Sequence, residues 1–510
     1  MRARAPELAL LAAALTISGF TIFRQIDPFD EGLMLQAAQR IAGGQVPYRD
    51  FLWVYGPGQP YVLAGGFEAF GVSLLHWRLL RLAADAAVAL VVFVLVRREA
   101  GWRWALGAWG VAAVTMAQPT GANPFPLPLL LTVAAVGVAG AERQGRRQVV
   151  LAGALTAVAA AWRVDFAVYG AAAVIVTLLL RPGPRGVRVR ACTLFAAVTA
   201  GLVALLYLPF AIAAGPGELA DELVAAGARG RQGLPFPLAY DGPLRGSSPR
   251  ALAEDAKDVL GFYVPLACVL GLALAAGVAG IRRRRPPPTL AGLLVLGLGF
   301  LAYLMSRADE FHVQPLAVVV AVAIPLALAR HREAGMHRPV AAMGVALLAF
   351  LLAAGLANRA SALLLPPSLE PLDLAVADGV QAPPATAAAI ERTVGLVHMR
   401  VPPGEAIYVV NSRSDRLRIT NPLFYVLAER DNPYDKDFGP LTTASAQREI
   451  VQTLSRTRPR VVVRWTDPEA TKVEPNRSGS SSGVRTLDRH LAARYRLLTR
   501  SGFYDVLVPR

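Results

Sequence analysis

Apolar runs about as long as a bilayer is thick alternate with short arginine-bearing connections over the first 360 positions of the chain. The runs cover 8–23, 78–96, 104–118, 125–141, 148–162, 165–180, 191–214, 259–281, 289–305, 313–329 and 339–357. A helix needs about 20 apolar residues to cross roughly 30 Å of hydrocarbon. The pattern therefore predicts a polytopic α-helical membrane protein with about 11 transmembrane helices. The basic leader Met1-Arg2-Ala3-Arg4 has no small-residue cleavage site at Thr21-Ile22-Phe23-Arg24, so the first run reads as an uncleaved helix.

Alternate connections carry the positive charge. Arg97, Arg98 and Arg103 form one cluster, and Arg143, Arg146 and Arg147 the next. Arg181, Arg185, Arg188 and Arg190 follow, then Arg282 to Arg285, then Arg330, Arg332 and Arg338. All five clusters fall on the cytoplasmic side if the N-terminus does, as the positive-inside rule requires. The outer side of the inner or plasma membrane then receives a first loop at 24–77, a second at 215–258 and everything beyond 361.

The periodicity changes after Pro366. Positions 406–410 and 460–464 read as short buried strands, 422–429 and 445–456 as helices, and 478–483 as a loop. Two more strands are expected around Ser501-Gly502. This predicts a linker at 361–384 and a small extracytoplasmic α/β domain at 385–510. No glycine-rich phosphate loop opens its helices.

Composition agrees. The chain is 54% apolar and 17% charged, against about 25% charged for soluble proteins, which excludes a soluble enzyme. Its net charge of +16 sits in the connecting loops without an aromatic-rich basic surface, so it speaks for membrane orientation and not for nucleic acid. Cys192 and Cys268 both fall in apolar runs and suggest neither a disulfide nor a zinc site.

Candidate chemistry gathers in the outer segments. Asp27, Asp30 and Glu31 precede Leu33, Ala37, Ala38 and Ile41, whose spacing predicts a short amphipathic helix in the interface, ended by Gly43-Gly44. The helix dipole alone favours acids at such an N-terminus. Then come Tyr48-Arg49-Asp50-Phe51 and Tyr55-Gly56-Pro57-Gly58-Gln59-Pro60-Tyr61. The short outer turns hold Arg163 with Asp165, and Arg307, Asp309 and His312. Ionisable groups at membrane depth are costly and mark sites. Arg163 with Asp165 also reads as a neutral pair, Arg307, Asp309 and His312 as a structural cluster, and Arg78 and Arg81 as interfacial anchors with Asp85 one turn below Arg81.

The acidic pair after the first span, the amphipathic helix and the two tyrosine motifs, in this order, resemble the GT-C superfamily of integral-membrane glycosyltransferases. The branch of protein O-mannosyltransferases and aminoarabinose transferases is the most similar. By motif the resemblance covers the first span through about Arg98, and beyond that it rests on topology. It implies transfer of a sugar from a polyprenyl-phosphate donor, within the membrane lipids, to an acceptor outside: a cell-envelope glycan, lipid or protein. It makes Asp30 the candidate general base, with Glu31 and Asp27 in reserve. One carboxylate base suits an inverting displacement; retention needs a second carboxylate about 5 Å away.

This sequence lacks the lysine that relatives often carry before the proline pair for the carrier phosphate. Arg163, Arg307 and His312 are the candidate phosphate ligands instead, since guanidinium groups grip phosphate oxygens in pairs. Arg49, Tyr55, Asp165 and Asp309 are candidate substrate contacts. No cofactor is implied, and without a metal-ligand spacing the question of a divalent metal stays open. A transporter or flippase, or a polymerase or ligase of lipid-linked saccharides, is the alternative class; a flippase would be expected to show inverted repeats and midplane charges.

Overall fold

A computed structural model describes residues 5–117, 124–142, 145–225, 248–282, 286–305, 308–309, 311–333, 338–364, 368–474 and 478–510. Each apolar run is helical. They form α1 (Ala5–Gly19), α4 (Leu75–Ala100), α5 (Trp102–Met116), α6 (Pro126–Ala139), α7 (Arg146–Trp162), α8 (Val164–Leu180) and α9 (Arg185–Ala214). After a short outer helix, α10 (Pro216–Ala220), come α11 (Pro249–Ile281), α12 (Pro288–Leu304), α13 (Gln314–Glu333) and α14 (Arg338–Leu364). Among the described residues four, α4, α9, α11 and α14, are long and apolar enough to cross a membrane, and α1, α6, α8, α12 and part of α13 are shorter apolar helices. The chain is a multi-pass membrane protein.

Burial ranks these helices. The apolar window of α4 is 56% buried against 11% for α9 and for α11, so α4 runs through the interior while the other two present apolar faces outward. Val92 and Val96 of α4 pack in one core with Val111, Leu129, Leu293 and Val319. Arg97 and Arg98 close the last turn of α4, where cations oppose the helix dipole.

Helix α2 (Asp30–Ala42) is covered by other parts of the protein: Leu33, Met34, Leu35, Gln36, Ala38 and Arg40 are all buried. One side packs on α3 (Gly58–Phe70), and the C-terminal domain covers the other. Gly32 allows this approach, because a Cβ there would stand 2.2 Å from the backbone nitrogen of Leu423. The Leu423 N–H donates to the Pro28 carbonyl at 3.1 Å, and Arg40 pairs with Asp437 at 3.1 Å.

The C-terminal domain holds a four-stranded sheet in the order β3-β4-β6-β5, built from β3 (Tyr408–Asn411), β4 (Val462–Trp465), β5 (Tyr495–Ser501) and β6 (Tyr504–Pro509). Strands β3 and β4 are parallel; β6 runs antiparallel to both β4 and β5. The helices at 423–427 and 444–457 fall where the sequence predicts them, whereas those at Pro384–Arg400 and Thr486–Arg494 were not anticipated. Part of the expected linker is packed: Leu372, Val376, Ala377 and Val380 are buried beside the ribbon of β1 (Glu370–Pro371) and β2 (Gln381–Ala382). The Gln381 N–H donates to the Phe23 carbonyl and the Leu74 N–H to that of Val376, at 2.7 and 3.0 Å.

Candidate active site

The first outer loop and the ends of α4, α7, α8 and α12 meet around Asp30. Asp27 stands just before α2 and accepts from the N–H groups of Phe29 and Asp30, both at 2.9 Å, satisfying two donors of the helix start. Burial pushes the Asp27 carboxyl up to about 6; the backbone bond from Asp30 opposes this, and the Glu31 charge adds to it. Glu31 turns inward. It is fully buried and bonds Arg78 through both oxygens, at 2.6 and 3.0 Å. Arg78 also donates to the carbonyls of Ile22 and Gln25. Asp30 turns the other way, is partly exposed, and lies close enough for its charge to act on Tyr55 and Arg81.

Gly56 brings Tyr55 to the site. Its N–H donates to the Trp162 carbonyl at 2.9 Å, and a Cβ there would stand 2.2 Å from the Ala161 oxygen. Tyr48 Oη donates to the Tyr55 carbonyl at 2.6 Å and Trp53 Nε1 to that of Gly56 at 3.0 Å. The Trp53 N–H in turn donates to Glu222 at 2.9 Å, which ties the second outer loop to the first. Burial pushes the Tyr55 phenol up to about 12, against the Arg163 charge, and the Glu222 carboxyl up to about 7.

Arg163 interrupts the helix between α7 and α8 with an extended backbone. Its guanidinium bonds Asp165 twice, at 3.0 and 2.7 Å, and stacks over Tyr55, Phe166 and Tyr303, 4.9–5.2 Å from their ring centres. His312 Nδ1 lies 2.7 Å from Asp309, and its ring centre is 4.9 Å from that of Tyr303. One continuous cluster therefore joins Tyr55, Arg163, Asp165, Tyr303, His312 and Asp309, with Asp30 within electrostatic range of Tyr55. Arg307 lies outside the described residues. Arg49 is not brought in: it pairs with Asp50 at 2.6 Å with its side chain 48% exposed.

A neighbouring cleft does not stand out in the sequence. It is lined by Gln59, Trp77, Arg81, Pro124, Pro126 and Trp162 among others. Arg81 is buried between the rings of Phe125 and Phe311, 5.2 and 5.5 Å from their centres, with Asp85 3.9 Å away. Gln59 Nε2 and Trp77 Nε1 are buried donors with no hydrogen-bond partner among the described residues. Such donors are rare and call for an acceptor. Trp77 and Arg81 are one helical turn apart, which was the available signal. Among the described residues no three metal-ligating side chains converge.

No family model and no curated protein matches the sequence. Solved structures do. ArnT from Cupriavidus metallidurans in the apo state aligns with TM-score 0.57 at 13% identity over 99% of this chain and 98% of that one. The same protein bound to undecaprenyl phosphate aligns with TM-score 0.55 at 15% identity over the same shares. The oligosaccharyltransferase AglB from Archaeoglobus fulgidus, in complex with an inhibitory peptide and a dolichol-phosphate, gives 0.53 at 13% identity over 99% of this chain and 74% of that one. The chain thus shares the fold of ArnT over nearly the whole length of both proteins, and that of AglB over most of that protein.

Proposed function

We propose that the protein is a membrane glycosyltransferase that moves a sugar from a polyprenyl-phosphate carrier to an acceptor outside the membrane, a cell-envelope glycan, lipid or protein. The observation that carries this reading is the cleft in which Arg81 and two unpartnered buried donors, Gln59 Nε2 and Trp77 Nε1, sit beside the Asp30 cluster. The ArnT structure with undecaprenyl phosphate supports the choice of carrier.

In the proposed reaction the acceptor hydroxyl oxygen bonds the anomeric carbon while the bond from that carbon to the phosphate oxygen breaks. The electron pair leaves with the phosphate, and Asp30 takes the hydroxyl proton. Arg81, Gln59 and Trp77 hold the phosphate, and Arg163 with Tyr55 forms the wall toward the sugar. His312 and Asp309 extend that wall, and Arg307 is a further cation for the phosphate. A guanidinium already removed from water acts more strongly on developing negative charge than a hydrated one. Asp27 and Glu31 position the loop: one caps α2 and the other anchors it to Arg78. A single base implies inversion at the anomeric carbon.

The protein, reconstituted in nanodiscs, should transfer labelled sugar from a polyprenyl-monophosphate donor to an envelope extract. If it neither transfers sugar nor binds polyprenyl phosphate, the reading fails. The arginine clusters support a cytoplasmic N-terminus and an outer C-terminal domain. In a background without Cys192 and Cys268, Ser480→Cys should then react with an impermeant thiol reagent added to intact cells, and Gly145→Cys should not. Labelling of Gly145→Cys contradicts this orientation.

A further inference from the structure

The C-terminal domain contains a second cavity, lined by no residue of the Asp30 cluster. It is an open cleft along β3 and the loop that follows it, between Asn411, Arg413, Arg416 and Thr442 on its polar side and Tyr408 and Leu487 on its apolar side. Strand β3 is half of the parallel pair β3–β4. In open α/β sheets the crevice beyond the carboxyl ends of parallel strands is the usual place for a ligand.

Its charge is built in. Arg413 bonds Asp415 through Nε and Nη2 at 2.9 and 2.7 Å, and Ser481 Oγ donates to the same carboxylate. These bonds, the one from Arg413 first, hold the Asp415 carboxyl down at about 2, so it stays ionised and fixes the guanidinium in place. Arg416 differs: its Nε is buried with no hydrogen-bond partner among the described residues. Leaving a charged donor unsatisfied is costly, and an anionic acceptor removes the cost. Tyr408 and Leu487 offer an apolar surface for the face of a sugar ring, while Asn411 and Thr442 are suited to hydroxyl groups.

We propose that this cavity binds one ring of an acidic saccharide, a sugar bearing a carboxylate or a phosphate, with its anionic group on Arg416. The site goes beyond the transfer reaction and does not depend on it. The test is ligand-observed saturation-transfer NMR on the full-length protein in nanodiscs, with glucuronic acid, glucose 6-phosphate, glucose and inorganic phosphate as separate probes. The two acidic sugars should bind saturably, and glucose and inorganic phosphate at least about ten-fold more weakly. Arg416→Gln should weaken glucuronic acid binding about ten- to a hundred-fold, the range of a charge-assisted hydrogen bond. Thr442→Trp fills the cavity without changing charge and should abolish binding, which decides the matter should Arg416→Gln fold poorly. Glucose binding as well as glucuronic acid, inorganic phosphate binding as well as glucose 6-phosphate, no binding by any probe, or wild-type binding by the folded variants would each overturn the proposal. Because the readout is binding and not transfer, its failure is distinct from failure of the glycosyltransferase reading.

Discussion

Glu31 and Arg78, 47 residues apart in the chain, form a two-pronged ion pair with both side chains fully buried. This pair anchors the start of α2 to α4. Successive residues in a helix point about 100° apart, so turning Glu31 into the protein turns Asp30 toward the cluster of Tyr55 and Arg81. The two acids of one dipeptide are thereby divided between an anchor and the proposed general base.

The anchoring half has a measurable consequence. Removing one partner of a buried pair leaves the other charge uncompensated and costs about 3–5 kcal/mol. An acid that merely favours a helix N-terminus is worth about 0.3–1 kcal/mol. Glu31→Gln should therefore destabilise the protein by the larger amount in a denaturant titration in bicelles. A loss under about 1 kcal/mol contradicts the anchoring role.

Asp27 should make stability depend on pH. Its carboxyl rises from an ordinary value of 3.8 to about 6 in the folded protein, so the folded state holds its proton more tightly than the unfolded state. The favourable contribution of the neutral acid is complete below about pH 4 and is lost as pH rises through about 6. Asp27→Asn keeps an oxygen for the Phe29 and Asp30 N–H groups but cannot ionise. Melting temperatures from pH 4 to 8 should show the variant gaining on wild type up to about pH 6, then a constant offset. An offset independent of pH over that range contradicts the burial of Asp27.

The cleft makes a prediction for the carrier. Arg81→Gln should weaken polyprenyl phosphate binding about ten- to a hundred-fold, as expected for losing a charge-assisted bond to phosphate. Arg49→Gln, whose parent side chain pairs with Asp50 on the surface, should bind normally. The comparison is made by titrating polyprenyl phosphate into each folded variant. Normal binding by Arg81→Gln would move the phosphate to another part of the site.

Much of this fold is legible in the sequence because its signals are local. Apolar run length marks each helix of the membrane part, and the strands of the C-terminal domain follow from runs such as Val461-Val462-Val463. The site is only partly legible. Asp30, Tyr55, Arg163 and His312 stand out as ionisable or aromatic groups in outer turns, and the structure brings them together. The roles of Arg78 and Arg81 do not stand out, because an arginine at the start of a span usually anchors it at the interface. Only the packing of α2 against α4 sets Arg78 on Glu31 and Arg81 near Asp30, and that long-range register leaves no trace in local periodicity. The burial of α2 is not legible for a similar reason: the surface that covers it, around Leu423 and Asp437, comes from the other end of the chain.

The most direct test is single-turnover sugar transfer by purified, folded Asp30→Asn from a bound polyprenyl-phosphate donor. The substitution keeps the size of the side chain and removes its capacity to take a proton. With Asp30 as general base, the transfer rate should fall about a hundred- to ten-thousand-fold while donor affinity stays within about two-fold. Transfer near the wild-type rate would contradict the mechanism and return the search for the base to Asp27 and Glu31.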